Sequence, residues 1–347
     1  MNKIQKEEFN NITKLIDITN LDNKSILITG ANGLIGSYLI YFLIYLKTEM
    51  SIKLDIYAVS RNKYNTEKKF KEYIKYINII EQDLNAPLSF SIKTDYIIHA
   101  ASNAHPLAFS QDPVGTMKTN LLGTINLLES IKNSNCKFLF ISTGEIYGNN
   151  TDHSFSERDV GSVDTKLIRA CYPESKRAAE TLCMAYSEQF NINVNIARLC
   201  YVYGATITET NSRADAQFLK NAINGQNIVM KSKGLQTRTY CYVADAISAL
   251  LYILLNGTNR EVYNVSNPNS ICSVKDFAET LSSIAGVKLE FELPDEKEKK
   301  GYSKQADSIL NSDKLIKLGW KPVYNLHEGL YNTLTIKKEE VQQCLKN

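Results

Sequence analysis

The chain contains no apolar run long enough to cross a membrane. The longest, Leu39 to Leu46, has eight residues, against the roughly 18 or more that a bilayer requires. No two of its 7 cysteines stand at the C-x-x-C spacing of zinc or redox sites, and an odd number cannot be fully paired as disulfides. Reduced, mostly buried thiols follow, which suits a cytoplasmic location, and no metal site is expected. A dominant charge is missing too. The balance of 40 Lys+Arg against 37 Asp+Glu leaves +3, too little for the phosphate-backbone attraction that nucleic-acid binding rests on. Residues 1 to 24 carry acids and amides throughout, so neither a leader nor membrane insertion is expected. Internal repeats and low-complexity segments are absent as well.

What is there is ordinary globular material: 347 residues, 44% hydrophobic and 22% charged, enough for roughly two domains by a length prior of about 150 residues each. Residues 1 to 23 form an N-terminal extension. Ile4, Phe9, Ile12, Leu15 and Ile16 are spaced loosely like one helix face, which predicts a short helix packed outside the main fold. From Ser25 a buried-strand run leads into glycines, then an apolar helix from Leu34, then a second strand from Lys53 to Val59. Further strands are expected at Tyr76 to Glu81, Tyr96 to Ala100, Lys137 to Ser142 and Val194 to Leu199, with helices near 113 to 133 and 172 to 190. That alternation predicts an α/β fold, a Rossmann-like doubly wound parallel sheet over residues 24 to 204. Residues 243 to 266 are expected to return to it, and 205 to 347 to supply mainly a smaller α/β substrate-binding domain. The mixed charges from Asp295 to Lys300 read as a solvated loop.

Gly30, Gly33 and Gly36 fall where the first strand ends and the first helix begins. There glycines allow a tight turn and let backbone approach a pyrophosphate, which the helix N-terminus then faces. A dinucleotide is the expected ligand. An acid at the end of the second strand would take the ribose 2′-hydroxyl of NAD. Ser60 and Arg61 stand there instead, and a hydroxyl beside a guanidinium suits a 2′-phosphate, so NAD(P) is expected with NADP favoured over NAD. The competing account has Arg61 stacked on the adenine or pointing to solvent. Asp83, after the third strand, is placed to meet the adenine edge, or to make an ordinary strand-end turn.

Tyr172 and Lys176 lie four residues apart, on one face of a predicted helix. A phenol titrates near about pH 10, so a phenolate working near neutrality needs depression by roughly three units, or about 4 kcal/mol. A neighbouring ammonium and a positively charged nicotinamide are expected to supply much of it. Thr143 closes a central strand, where open α/β sheets bind their ligands, and is placed to hydrogen-bond a sugar hydroxyl undergoing oxidation.

In these features the chain resembles the extended short-chain dehydrogenase/reductases, the NAD-dependent epimerase/dehydratase family of nucleotide-sugar enzymes. The likeness runs through the three glycines, His99 to Ala101, Asn120 to Thr124, Ser142 with Thr143, Tyr147 with Gly148, and Tyr172 with Lys176. It continues through Arg198, Tyr203 with Gly204, Arg238, Tyr242 to Asp245, Tyr263 to Val265, and Leu318 to Trp320 with Pro322. Within the family, the segments from Pro113 to Asn120 and from Arg169 to Cys183 look most like UDP-glucuronate decarboxylases. The resemblance implies that Tyr172 removes the C4 hydroxyl proton while nicotinamide takes the C4 hydride. The resulting 4-keto sugar then undergoes epimerisation or decarboxylation and is reduced again. It implies catalytic roles for Thr143, Tyr172, Lys176 and Glu145. It extends the cofactor site to Asn32, Leu34, Ile35, Leu84, Ala100, Ala101 and Asn120. Ser102, Gly144, Glu145, Tyr201, Arg213 and Arg238 would meet a nucleotide-sugar substrate, the arginines gripping its diphosphate. A homodimer through the helices at 113 to 133 and 172 to 190 is also implied.

Three departures stand out. Gly144 replaces the aspartic acid of 4,6-dehydratases, Tyr201 replaces a substrate-contacting asparagine, and the acid after the second strand is missing. The last would suit an NADPH-dependent 4-ketosugar reductase. A non-catalytic dinucleotide sensor on the same fold is the alternative of another class, and an RNA-associated member has little support from the near-neutral charge. His99 is expected to be a satisfied core residue, and His105 to lie in the loop that follows.

Overall fold

The computed structural model describes residues 1–91, 93–148, 154–292 and 307–346; the segment from 295 to 300 lies outside them. A first helix, α1 (Lys3–Leu15), precedes β1 (Lys24–Thr29), the apolar α2 (Leu34–Glu49), β2 (Leu54–Ser60), α3 (Lys63–Lys69) and β3 (Asn78–Glu81). The chain then returns through β4 (Tyr96–His99), α4 (Pro106–Gln111), α5 (Pro113–Ile131), β5 (Lys137–Thr143), α6 (Cys171–Phe190) and β6 (Asn193–Leu199). Beyond it lie β7 (Tyr201–Tyr203), α7 (Ala214–Ile223), β8 (Ile228–Met230), β9 (Thr237–Tyr242), α8 (Val243–Asn256) and β10 (Glu261–Val265). Last come β11 (Ile271–Ser273), α9 (Val274–Ala285), β12 (Leu289–Phe291), α10 (Asp313–Leu318) and α11 (Leu326–Lys346).

Seven strands form one parallel sheet in the order β10-β6-β5-β4-β1-β2-β3. The strands read as continuous apolar runs because helices cover both faces; all four residues of β4 are buried. The strand order reverses between β1 and β4, and in such sheets the crevice beyond the carboxyl ends at that point is the ligand site. Of the later elements, β10 returns to the edge of this sheet beside β6. A smaller sheet, β11-β9-β7, and the pair β12-β8 build the remainder with α7 and α9. Among the described residues no helix is long and apolar enough to cross a membrane.

Element boundaries expected from sequence shift by a few residues. The stretch from Lys71 to Tyr76 is a 3-10 turn, so β3 starts only at Asn78. A larger correction concerns α1, which is not packed outside the fold. Phe9 and Ile12 are fully buried, and Phe9 contacts the rings of Tyr38, Phe42 and Tyr45 on α2. Glu8, also buried, accepts hydrogen bonds from the hydroxyls of Tyr38 and Tyr242 and from Asn332 Nδ2. Burial raises its carboxyl pKa, and the three donors replace the water that an isolated charge would miss.

Candidate active site

The glycine turn is held by contacts that only hydrogen at Cα allows. Gly30 has φ +69°, and a Cβ there would stand 2.8 Å from the carbonyl oxygen of Ala100; one on Gly36 would stand 2.3 Å from that of Gly30. Backbone therefore meets backbone at the end of β1, leaving a cradle of the kind a pyrophosphate needs. The first helical bond of α2 runs from the Ser37 amide to Gly33, so the amides of Leu34, Ile35 and Gly36 face outward as an anion site. Asn32 is fixed by its side chain to Thr66 at 2.9 Å. Its carbonyl accepts from Lys69, whose ammonium also reaches Ser37 and whose pKa burial lowers to about 8. The residues present fit a dinucleotide.

At the end of β2 the two expected 2′-phosphate ligands part company. The Ser60 hydroxyl is already engaged with Thr66 at 2.6 Å and with the carbonyl of Asn62. Arg61 is exposed. Asp83 is exposed too and accepts the amide of Asn85 in a strand-end turn, while Leu84 is buried beneath Gly123. His99 bonds Thr29 through Nδ1 at 2.7 Å, but its Nε2 is buried without a partner, so it is only half satisfied. Burial and the nearby Lys176 hold its pKa down to about 3, leaving it neutral. His105 touches Ser212 at 3.2 Å.

Tyr172 and Lys176 lie in the first turns of α6, buried at 6% and 2% exposure. Thr143, at the end of β5, is near enough to the Tyr172 phenol to favour its ionised form, and its hydroxyl accepts the Glu145 amide at 3.2 Å. Burial first and Glu145 second nevertheless push the phenol pKa up, with Arg213 as a smaller opposing influence. Here the expectation of a phenol acidified by Lys176 needs correction. The Lys176 ammonium donates to the Ile141 carbonyl at 2.7 Å and sits 4.6 Å from the Phe140 ring centre, on the β5 side. Burial lowers its own pKa to about 7, against smaller upward pulls from Glu180 and Cys183.

Two polar chains fix this helix. Ser102 donates to Asn120 at 2.8 Å, Asn120 donates to Ser175 at 2.8 Å, and Ser175 bonds the carbonyl of Cys171. Asn120 thus ties the loop after β4 to the first turn of α6. On the other side Glu180 accepts from Ser142 at 2.5 Å and pairs with Arg198 at 2.7 Å, joining α6 to β5 and β6. The sequence marks Ser175 and Glu180 only by their register on the Tyr172 helix.

Glu145 pairs with Arg169 at 3.1 Å, with the guanidinium 55% exposed. Beside it, a Cβ on Gly144 would meet Leu310 Cδ1 at 2.7 Å, so little room exists for the dehydratase acid. Tyr201 serves as a platform: the Arg238 guanidinium lies 4.4 Å from its ring centre. Arg213 caps the start of α7, and the Nε atoms of both Arg213 and Arg238 are buried without hydrogen-bond partners. A guanidinium with an unused donor suits an anionic ligand.

Comparison with known proteins agrees with this architecture. The family model described as "NAD dependent epimerase/dehydratase family" matches residues 26–266. UDP-glucuronic acid decarboxylase 1 of Xenopus tropicalis is 33% identical over 328 residues, 94% of this chain and 75% of that protein. UDP-glucuronic acid decarboxylase 3 of Arabidopsis thaliana is 32% identical over 315 residues, covering 89% and 87%. The solved UDP-glucuronic acid 4-epimerase of Bacillus cereus, in complex with UDP-glucuronic acid and NAD, superposes with a TM-score of 0.76 at 23% identity, covering 91% and 99% of the two chains. The chain belongs to the NAD dependent epimerase/dehydratase family.

Proposed function

We propose that the protein is a nucleotide-sugar decarboxylase, which oxidises a nucleotide-activated hexuronate at C4, releases its C6 carboxylate and reduces the ketone again. The observation that carries the reading is the burial of Tyr172 and Lys176 in the first turns of α6, with Thr143 at the carboxyl end of β5 and the Glu145–Arg169 pair near them. The names of the relatives at 33% and 32% identity support it. NAD(P) would be held by the glycine cradle and the amides of Leu34 to Gly36. When bound, the nicotinamide accepts and returns the C4 hydride and, while oxidised, adds a positive charge that favours the phenolate.

Tyr172 takes the C4 hydroxyl proton while Thr143 orients that hydroxyl. Once C4 is a ketone, the C5–C6 bond can break with its electron pair passing into the enolate, carbon dioxide leaving and C5 taking a proton. Arg169 is placed to hold the carboxylate and Glu145 to exchange the proton. Arg213 and Arg238 grip the diphosphate, with Tyr201 beneath Arg238. The lobe built from α7, β8, β9 and α9 acts as the substrate domain. We further infer a homodimer through α5 and α6, supported by the exposure of Val114 and Met117 at 62% and 38%. A cytoplasmic location is supported by six cysteines among the described residues, all unbridged.

A second reading, the NADPH-consuming 4-ketosugar reductase, is favoured by one observation, the exposed Arg61 at the end of β2 without an acid beside it. NADP preference rests on Arg61 alone, since the Ser60 hydroxyl is engaged. The test is incubation with UDP-glucuronate and NAD, followed by mass. Loss of carbon dioxide without net cofactor turnover supports decarboxylation. Stoichiometric consumption of NADPH with a 4-keto sugar, and no action on the hexuronate, would replace it with the reductase.

A further inference from the structure

The peptide that joins Asn32 to Gly33 inside the glycine turn is held at both ends. Its amide donates to the Gly30 carbonyl at 2.9 Å, and its carbonyl accepts from the Lys69 ammonium at 3.0 Å. The same ammonium reaches the Ser37 hydroxyl at 3.2 Å. That hydroxyl donates its one hydrogen to the Gly33 carbonyl at 2.7 Å, so it meets the ammonium with a lone pair. Lys69 is the last residue of α3, three after Thr66, and its own carbonyl accepts from the Tyr41 hydroxyl on α2 at 2.9 Å. Thr66 takes the Asn32 side chain at 2.9 Å, so α3 grips Asn32 by side chain and backbone together. Lys69 also lines a cavity of about 1140 Å³ beside Thr206, Lys337 and Glu340. There Glu340 pairs with Lys337 at 2.9 Å, which leaves the Lys69 ammonium to the turn.

An ammonium held by a carbonyl and a hydroxyl gives up part of its hydration, a cost that a lysine pointing into water does not meet. What the fold gains is the conformation of the turn. Gly33 has no Cβ, so rotation of the peptide before it is less restricted than elsewhere in the chain. That peptide leads directly into the outward-facing amides of Leu34, Ile35 and Gly36. If it turned, the Gly30 bond would break, and the partial negative charge of its carbonyl would come loose beside donors that serve an anion. Resting on the reading of this turn as the site of the cofactor diphosphate, we infer that Lys69 is a positioning residue: acting through Asn32 and Ser37, it keeps the turn shaped for a diphosphate before one arrives. A site set in advance binds more tightly because the ordering is not left to the ligand. The lysine lies more than thirty residues beyond the last glycine of the motif, at the end of a different helix.

The test measures binding of NAD, ADP and adenosine to the full chain by calorimetry at neutral pH, with Lys69→Met and Lys69→Arg beside the unaltered protein. Methionine keeps an apolar stem of similar length and removes the donor. NAD and ADP, which carry a diphosphate, are expected to bind Lys69→Met about tenfold or more weakly, while adenosine binds as before. Lys69→Arg keeps N–H donors at that place and is expected to recover most of the loss. Thermal unfolding of each variant is recorded alongside. If all three ligands weaken by one common factor, or none weakens while unfolding moves down, Lys69 only braces α3 against α2 and the inference is overturned. Should Lys69→Met not fold, Lys69→Gln, with an uncharged donor on a shorter stem, is read against the same three ligands with the same expectations. Failure of the unaltered protein to bind either NAD or ADP would instead overturn the dinucleotide reading on which the inference rests.

Discussion

Phe109 lies flat against Tyr172, their ring centres 4.5 Å apart and their planes 16° from parallel. The stack packs one face of the ring and so limits the swing of the side chain about Cα–Cβ, which is the rotation that would move the hydroxyl. Two substitutions separate chemistry from positioning. Tyr172→Phe removes the acid/base group and is expected to lower kcat about 10²- to 10⁴-fold with cofactor affinity nearly intact. Phe109→Ala keeps the phenol but loosens it, and is expected to cost about tenfold in kcat, or about 1.4 kcal/mol of barrier, with little change in KM. Steady-state kinetics of both variants check the pair. Near-normal turnover in Tyr172→Phe would end the proposed mechanism.

A pH dependence of cofactor binding is expected at Lys176. Burial lowers its pKa from the ordinary 10.5 to about 7, so above about pH 7 the free protein holds a neutral amine. If its ammonium donates to the cofactor, the proton must be regained on binding, and the Kd for NAD should rise by up to about tenfold per pH unit above that point. Below it the Kd should be flat. Titration by fluorescence from about pH 6 to about pH 9 reads this directly, and Lys176→Met should bind more weakly with no slope at all. A slope retained in that variant would assign the proton elsewhere.

The parts legible in the sequence are those written locally. Strand, three glycines and helix follow one another within fifteen residues, and Tyr172 and Lys176 share a helix face, so pattern alone brings them to light. What stayed hidden depends on partners distant in the chain. Glu8 is stabilised by Tyr38, Tyr242 and Asn332, and no pattern within residues 1 to 23 announces that packing. The direction of the Lys176 ammonium, toward the Ile141 carbonyl, is set by how α6 packs on β5. The Ser60 hydroxyl looked available for a phosphate until α3 brought Thr66 onto it.

The glycine turn can be tested against an internal control. Gly30 and Gly225 share nearly the same left-handed backbone, φ +69° and +68°, but a Cβ at Gly225 meets nothing within 4 Å while one at Gly30 runs into Ala100. Gly225→Ala should therefore show only the backbone strain of the αL region, about 1 kcal/mol, with cofactor binding unchanged. Gly30→Ala adds backbone overpacking of about 1–3 kcal/mol and should weaken NAD binding by at least about tenfold. Calorimetric titration and thermal unfolding of the two variants measure the difference. Equal behaviour would mean that the cradle can widen without loss.

Asp245 predicts how stability responds to pH. It is buried among the amides of Val323 and Tyr324, which donate to it at 2.8 and 3.1 Å, yet burial outweighs them and raises its pKa from 3.8 to about 7. Between those values the unfolded chain has released the proton and the folded chain keeps it. The folded state binds more protons, so stability falls as pH rises; this contribution is complete below about pH 4 and gone above about pH 7. The shift bounds the effect at about 4 kcal/mol. Glu8, also raised by burial, adds a trend of the same sign; it is present in any Asp245 variant, so a comparison removes it except for its smaller coupling to Asp245. The stability of the unaltered protein minus that of Asp245→Asn, from urea midpoints at several pH values, should therefore decline steadily across this window. A flat difference would mean that the two backbone amides suffice to keep Asp245 ionised in the folded protein.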